Sequence, residues 1–283
     1  MKKPLLIDTH AHVNFNAFKE DGDEVIKKTL DQNVWMINIG SQYSTSKRAV
    51  EYANKYEQGV YAAVGLHPVH VNKGMKEKEW DRTISKREFE EFSRAKYEEL
   101  LKDPKTVALG EIGLDYIDGI DQESKDKQKA VLMEQIELAQ QSGKPIIFHC
   151  RKAYEDLIEL LTMFNLSCAN CPQACSPGLR GVIHCFMGRL SQAERFLELG
   201  FYISFNGIIT YARDYDRVIE KISLSKILLE TDAPYLTPEP HREERNEPLY
   251  VKYVAEKIAQ IKKIDLEQVN KQTTKNARTL FNI

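Results

Sequence analysis

The chain has 283 residues, of which 42% are hydrophobic, and its 40 Lys and Arg nearly balance its 42 Asp and Glu. This length fits one barrel-sized domain or two smaller ones, of which we expect the single domain over residues 1–283. The formal charge of −2 argues against a protein that coats duplex DNA with a broad basic face. The apolar runs are too short for a signal peptide or a membrane span, so we expect a cytoplasmic protein with no membrane attachment.

Apolar strand-like runs and helical periodicity alternate from one end of the chain to the other. The strand-like runs are Leu5–Val13, 34–40, 60–68, 106–115, 145–150, 181–186, 201–207 and 227–234. The helical runs are Asp21–Gln32, Thr45–Tyr56, Ser85–Lys102, Gln122–Ser142, Ala153–Phe164, Ser191–Leu199, Tyr211–Ile222, Pro248–Lys262 and Leu266–Phe281. Two charged or Cys/Pro/Gly-rich stretches, Lys73–Lys96 and Asn165–Arg180, are interpreted as insertions.

Near-continuous apolar strands that are each followed by a helix are typical of parallel pairing with both sheet faces covered. The sequence therefore predicts an α/β protein with a (β/α)8 TIM barrel. A doubly wound open sheet is the alternative fold, but its ligands gather in one crevice at a switch point. Here the polar candidates follow the first, fourth, fifth, sixth and eighth strands, which favours the barrel.

The first strand ends in His-x-His. In an extended strand the side chains of His10 and His12 point to the same face, about 6.6 Å apart along the strand. That spacing suits two imidazoles that bind one metal ion. The ordinary alternative is a strand end with two solvated histidines.

Four further metal-type side chains fall at the ends of later strands, where the catalytic face of a barrel lies. Each histidine taken alone could be a satisfied core residue. Together the six candidates exceed the needs of one tetrahedral zinc site, and they suit two divalent ions about 3.5 to 4 Å apart with a bridging carboxylate. The candidates are His10, His12, Glu111, His149, His184 and Asp232.

The cysteines are interpreted separately. Cys168, Cys171 and Cys175 form C-x2-C-x3-C without an adjacent fourth ligand, so we favour a structural staple or free thiols over a catalytic role. Strand alternation predicts that Cys150 and Cys185 point outward when the preceding histidines point inward.

Several motifs in chain order resemble the TatD family of metal-dependent deoxyribonucleases, which belongs to the wider amidohydrolase group of barrels. The motifs are DTHAH (8–12), GLHP (65–68), GEIGLDY (110–116), KPIIFHCRKA (144–153), GVIHCFMG (181–188), LLETDAPYL (228–236) and HREERNEP (241–248).

The resemblance implies a role for each candidate. His67 and Arg242 match the family's phosphate-contacting positions. Glu111 would bridge the two metal ions. The resemblance implies that one ion is held by His10, His12 and Asp232, and the other by His149 and His184.

We expect a hydrolase that cleaves DNA phosphodiester bonds, exonucleolytically at single-stranded ends, with water activated by two divalent ions (Mg, Mn or Zn). Asp232 and Glu111 are the predicted catalytic carboxylates, and Asp232 is either a ligand only or also a proton acceptor. Two alternatives remain: an esterase or amidase such as an aminoacyl-RNA deacylase, and a non-catalytic metal-binding scaffold. The complete ligand set counts against the scaffold. No obligate protein partner is evident.

The chain departs from the usual sequence of the family motifs at three places. Asn14 stands where an Asp commonly follows His-x-His, and Met187 stands where a Ser is common. Glu243 and Glu244 replace what is usually a Gly-Lys pair beside Arg242. Because carboxylates repel a phosphodiester, we expect the last change to weaken or redirect nucleic-acid binding.

Overall fold

The computed structural model describes residues 3–72, 89–169 and 178–283, except for the side chains of residues 166–169. Within these residues eight parallel strands pair in sequence order in one sheet, which confirms the (β/α)8 barrel. The strands are β1 (Leu6–Ala11), β2 (Val34–Ile39), β3 (Val60–Val64), β4 (Thr106–Asp115), β5 (Ile146–Arg151), β6 (Gly181–Ile183), β7 (Tyr202–Phe205) and β8 (Ile227–Leu229).

Helices follow the strands around the outside of the sheet. They are α1 (Gly22–Asp31), α2 (Tyr43–Asn54), α3 (Arg94–Leu101), α4 (Gln122–Ser142), α5 (Tyr154–Ala169), α6 (Leu190–Glu198), α7 (Asp216–Lys221), α8 (Val251–Lys262) and α9 (Leu266–Phe281). In the described part of the chain, no helix combines the length and the apolar character needed to cross a membrane.

Two helical predictions differ from the structure. In place of the predicted helix Ser85–Lys102, the described residues contain the shorter α3, which begins at Arg94. Residues 85–88 lie outside the described residues. The predicted helix Tyr211–Ile222 is the six-residue α7, preceded by a 3-10 turn over Gly207–Thr210. Most of the insertion Lys73–Lys96, as well as Cys171, Cys175 and the side chain of Cys168, lies outside the described residues.

The apolar strands are buried on both faces. Every residue of β1, β2 and β4 is buried, as expected for a parallel sheet that is covered by helices outside and packed side chains inside. Residues early in several strands, such as Ile7 and Val107, form one apolar cluster with Leu280 and Phe281 of α9. Helix α9 therefore covers the amino-terminal end of the barrel and not its carboxyl end.

The barrel closes where the end of β1 meets the segment after β8. The hydroxyl of Thr9 donates to the carbonyl of Leu229 at 3.0 Å. Beyond it, the Asp232 N–H donates to the His10 carbonyl at 2.8 Å, and the His12 N–H donates to the Ala233 carbonyl at 2.7 Å. Backbone groups of His10, His12 and Asp232, three of the predicted metal ligands, thus help to close the barrel.

Helix α4 holds two strand ends in place through buried amide side chains. Gln135 accepts from the Leu66 N–H at 2.8 Å and donates to its carbonyl at 3.0 Å, just after β3. Gln128 does the same for Asp115 at the end of β4, with distances of 2.8 and 3.1 Å. These bonds fix the loop before His67 and the carboxyl end of the strand that carries Glu111.

Candidate metal centre

His10, His12 and Asp232 meet at the closing seam. The Nε2 atoms of the two histidines lie 3.2 Å apart, and Asp232 Oδ1 lies 3.4 Å from His12 Nε2 and 3.7 Å from His10 Nε2. The Nδ1 atom of His12 is 3.0 Å from the Ile39 carbonyl, which can only accept, so Nδ1 carries the proton. The Nε2 lone pair of His12 is therefore free for a metal ion.

Glu111 lies at the middle of the cluster and is 4% exposed. Its Oε2 is 3.4 Å from His10 Nε2, and its Oε1 is 2.9 Å from His184 Nε2 and 2.7 Å from His149 Nδ1. Burial alone would raise the pKa of this carboxyl, but the positive charge of neighbouring histidines, His184 first, holds it well below its usual value. Glu111 is thus an anion with one oxygen toward each half of the cluster.

His149 is held from behind by Asp115. His149 Nε2 lies 3.1 Å from Asp115 Oδ2, and the other oxygen of Asp115 accepts from Arg151 Nε at 2.7 Å. Burial opposes protonation of His149, but the hydrogen bonds to Asp115 and Glu111 raise its pKa above the usual value. With the Nε2 proton donated to Asp115, Nδ1 is the atom that can bind a metal ion.

His184 has an equivalent support in Glu230. His184 Nδ1 lies 3.2 Å from Glu230 Oε1, which also accepts from the Cys185 N–H at 2.7 Å, while Ser204 donates to Glu230 Oε2 at 2.5 Å. Burial opposes protonation, yet the charges of Glu111 and Glu230 raise the pKa of His184 well above its usual value. Donation from Nδ1 to Glu230 leaves Nε2 facing Glu111.

In neutral His67 the ring nitrogen that faces the cluster carries the proton, whereas in His12, His149 and His184 the proton lies on the nitrogen that faces away. The Nδ1 atom of His67 accepts from the Val69 N–H at 3.1 Å, so a neutral ring carries its proton on Nε2, which lies 3.5 Å from Glu111 Oε1. Burial, with the charge of His149, lowers the pKa of His67 to about 4. His67 is therefore a neutral hydrogen-bond donor, which suits a phosphate contact better than metal ligation through Nε2.

Arg242 lies on the exposed loop after β8. Its guanidinium covers the ring of Tyr211 at 3.6 Å and donates to the Thr237 carbonyl at 3.3 Å. Among the described residues it makes no ion pair with the cluster. Glu243 is exposed, whereas Glu244 is bonded to His241 at 2.9 Å and to Tyr250 at 2.8 Å.

The two cysteines beside the histidines differ. Cys150 is buried in the apolar core, where burial raises the pKa of its thiol. Strand β6 ends at Ile183, and Cys185 has a φ of +46°, so the alternation argument does not apply to it. The Cys185 thiol hydrogen-bonds Asn206, and burial raises its pKa to about 12, so it is not a thiolate ligand.

Asp115 and Glu230 are the functional side chains that the sequence analysis missed. Asp115 lies inside the motif GEIGLDY, and Glu230 lies inside the motif LLETDAP. Asp115 is four residues from Glu111, which puts these two carboxylates on one face of the strand. That even spacing was the signal in the sequence that could have identified Asp115. It does not tell a ligand from a side chain that supports one.

The donor set fits divalent metal ions. Two imidazole nitrogens held about 2.1 Å from one tetrahedral ion lie about 3.4 Å apart, close to the 3.2 Å between His10 and His12. Among the described residues, three groups of side chains have donor atoms within 4.8 Å of one another: His10–His12–Glu111, His67–Glu111–His149 and His10–His184–Glu230. Nitrogen and carboxylate donors accept Zn, Mn and Mg, with preferences set by geometry and supply.

Comparisons with known proteins find relatives along nearly the whole chain. The family model described as TatD related DNase matches residues 7–282. The uncharacterized metal-dependent hydrolase YabD of Bacillus subtilis is 36% identical over 283 residues, covering 99% of this chain and 100% of the relative. The 3'-5' ssDNA/RNA exonuclease TatD of Edwardsiella piscicida is 30% identical and covers 98% of this chain and 100% of its own length. The crystal structure of the Escherichia coli TatD homologue YjjV matches with a TM-score of 0.81 and 30% identity over the full length of both chains.

Proposed function

The chain belongs to the TatD family of metal-dependent hydrolases, and from this premise we propose that it is a deoxyribonuclease that removes nucleotides from single-stranded DNA ends. The observation that carries the proposal is the position of Glu111, whose two oxygens lie within 3.4 Å of histidines from β1, β5 and the segment after β6. A carboxylate so placed is suited to bridge two ions at a phosphodiester-cleaving centre.

We assign the ligands of each ion from these contacts. His10, His12 and Asp232 would hold one ion, and His149 and His184 the other, with Glu111 between them. When bound, the two ions would neutralise charge that develops on the phosphoryl oxygens and lower the pKa of water. The four imidazoles and two carboxylates carry −2 when the rings are neutral, so the loaded centre is positive and attracts phosphate.

Asp232 is the best placed proton acceptor. Its side chain is 15% exposed, against 6% for Glu111, so it is the carboxylate of the cluster that meets water at the mouth. Burial would raise its pKa, but the neighbouring histidines, His12 first and then His184 and His10, lower it. Asp232 is therefore ionised at neutral pH and able to orient a water molecule and take its proton.

His67 is assigned to the substrate phosphate. Its neutral ring has the Nε2–H directed into the cluster, where it can donate to a phosphoryl oxygen without adding charge. Arg242 lies farther out and would contact a neighbouring phosphate through the N–H groups that Thr237 leaves available.

The preference for single-stranded ends rests on shape and on a relative. The cluster is recessed at the carboxyl end of a barrel, where a strand terminus enters more readily than a duplex. The Edwardsiella relative is named a 3'-5' ssDNA/RNA exonuclease, which supports the same substrate class.

An end-labelled DNA assay tests the proposal. Purified protein is incubated with single-stranded and duplex oligonucleotides in Mg²⁺, Mn²⁺ or Zn²⁺, with a chelator control. We expect mononucleotides released from one end, loss of activity with chelator and in Glu111→Ala, and full activity in Glu134→Ala, an exposed control on α4. Hydrolysis of aminoacyl esters with no cleavage of any oligonucleotide would contradict the proposal.

A further inference from the structure

A recess of about 620 Å³ lies beside the metal centre. The turn after β1 forms one wall, and α2 forms the other through Arg48 and Tyr52, which are one helical turn apart. A volume of this size is in the range of ligand pockets. The lining residues are Phe15, Asn16, Lys19, Arg48 and Tyr52.

Phe15 connects the recess to the metal centre. Its ring stacks on the ring of His12 with centroids 4.3 Å apart and an interplanar angle of 22°. The Phe15 N–H also donates to the His12 carbonyl at 2.9 Å, which fixes this arrangement. Because Phe15 is only partly buried, a group bound in the recess would lie one aromatic ring away from a candidate metal ligand.

The recess carries two cations without a carboxylate partner among the described residues, Lys19 and Arg48. Nearby lysines are neutralised instead: Lys28 pairs with Glu247 at 2.8 Å and Lys55 with Asp23 at 3.1 Å.

The Arg48 guanidinium is fixed in place by neutral groups. Its Nη1 donates to the Asn14 carbonyl and to Asn16 Oδ1, each at 3.1 Å, and its remaining N–H groups make no bond to described residues. Asn14 contacts Arg48 through its backbone carbonyl, which adds no negative charge beside the guanidinium.

We propose that this recess is a subsite for the nucleotide next to the scissile phosphate, in which Lys19 and Arg48 bind its phosphate and Phe15 stacks on its base. Phosphate contacts by cations together with base stacking on an aromatic ring are the usual elements of single-strand binding. The inference rests on the proposed nuclease function and adds the direction in which the strand leaves the centre.

The test measures how salt changes the affinity for a single strand. Metal-loaded protein is titrated into a fluorescent phosphorothioate oligothymidylate, and anisotropy gives Kd at several salt concentrations. Removing one cation that binds a phosphate lowers the slope of log Kd against log salt by about 0.7. We expect the double variant Lys19→Gln/Arg48→Gln to lower the slope by about 1.4.

Three further variants separate charge, stacking and fold. Arg48→Lys keeps the charge and should keep the slope, although it loses the bonds to Asn14 and Asn16. Phe15→Leu should weaken Kd about fivefold or more with an unchanged slope, because stacking does not depend on charge. Lys27→Gln, on the exposed side of α1 and outside the recess, should change neither.

The two proposals fail in distinguishable ways. If the double variant keeps the wild-type Kd and slope, the subsite is overturned, whatever the enzyme hydrolyses. Hydrolysis of bis(4-nitrophenyl) phosphate, which has no neighbouring nucleotide, is followed in parallel. If the wild type hydrolyses neither this diester nor DNA with any metal, the proposed nuclease function is overturned instead.

Discussion

The metal centre and the rim of the barrel mouth are built in opposite ways. At the centre, His12, His149 and His184 are each held by a hydrogen bond from the ring nitrogen that faces away from the cluster. At the rim, Lys19 and Arg242 are exposed side chains without a carboxylate partner among the residues described. The barrel thus fixes the candidate metal ligands in place, whereas the rim cations lie on exposed side chains that can vary without disturbing the fold. We therefore expect substrate choice to depend on the rim.

The departures from the family pattern follow the same division. All six candidate ligands are present, whereas Glu243 and Glu244 lie on the exposed loop after β8 and Asn14 is buried in the loop after β1. Asn14 donates to the Ile39 and Thr45 carbonyls at 3.0 Å each, which a carboxylate in its place could not do. Its amide therefore stabilises the loop after β1.

The largest expected effect comes from removing the charge at the middle of the centre. Glu111→Gln keeps the size of the side chain but removes the anion that faces three histidines. We expect kcat/KM for DNA to fall by about 10³-fold or more, because an ion is lost or misplaced. Elemental analysis of the variant should show less bound metal, and full metal content with full activity would contradict the assigned bridge.

The next effect concerns the supports of the histidines. Asp115→Asn and Glu230→Gln should each weaken metal binding about 10–100-fold, since outer partners orient metal ligands. Competition with a chromogenic chelator measures this affinity. Asp118→Asn, whose exposed carboxylate pairs with Lys152, is the matched control and should bind metal normally. A lower Tm with unchanged metal affinity would assign Asp115 and Glu230 to stability alone.

A pH effect should accompany metal binding. The pKa values of His149 and His184 are raised in the metal-free protein, so both rings hold extra protons near neutral pH that a metal ion must displace. Apparent metal affinity should therefore rise with pH. Calorimetry at pH 7 in two buffers of different ionisation enthalpy measures the protons released, and equal heats in both buffers would contradict this expectation.

The same raised pKa values fix the sign of the stability change in the metal-free protein. Their contribution to the free energy of unfolding is present below the unfolded-state pKa of about 6.5 and is lost as pH rises through the folded-state pKa. Thermal unfolding of metal-free protein across this range measures that loss, and bound metal should offset it.

The smallest expected effect is at the rim. Charge reversal of both Glu243 and Glu244 is the direct test of the sequence prediction, but Glu244 also bonds His241 and Tyr250. Glu243→Lys alone isolates the charge, and we expect KM for DNA to fall about twofold to fivefold at low salt, as exposed charges are screened. Glu267→Lys on α9 is the control. An unchanged KM would mean that this loop does not meet the phosphates.

The fold, and the strand ends at which the candidate ligands meet, could be predicted because they depend on local pattern. Apolar runs such as VALGEIGLD and IIFHC mark buried parallel strands, and a polar residue that interrupts such a run must face either the barrel mouth or a buried partner. Asp115 and Glu230 illustrate the limit, because their role depends on which histidine lies behind them. The recess was not predictable either, since Lys19 and Arg48 come from separate elements and share no motif.

We propose that six side chains, from β1, β4, β5 and the segments after β1, β6 and β8, hold two ions at the barrel mouth. A crystal grown with manganese, with anomalous scattering recorded at its absorption edge, tests it most directly. We predict two peaks about 3.5 to 4 Å apart, one beside His10, His12 and Asp232, the other beside His149 and His184, with Glu111 between them. Peaks elsewhere, or a centre that stays empty in saturating manganese, would contradict the account.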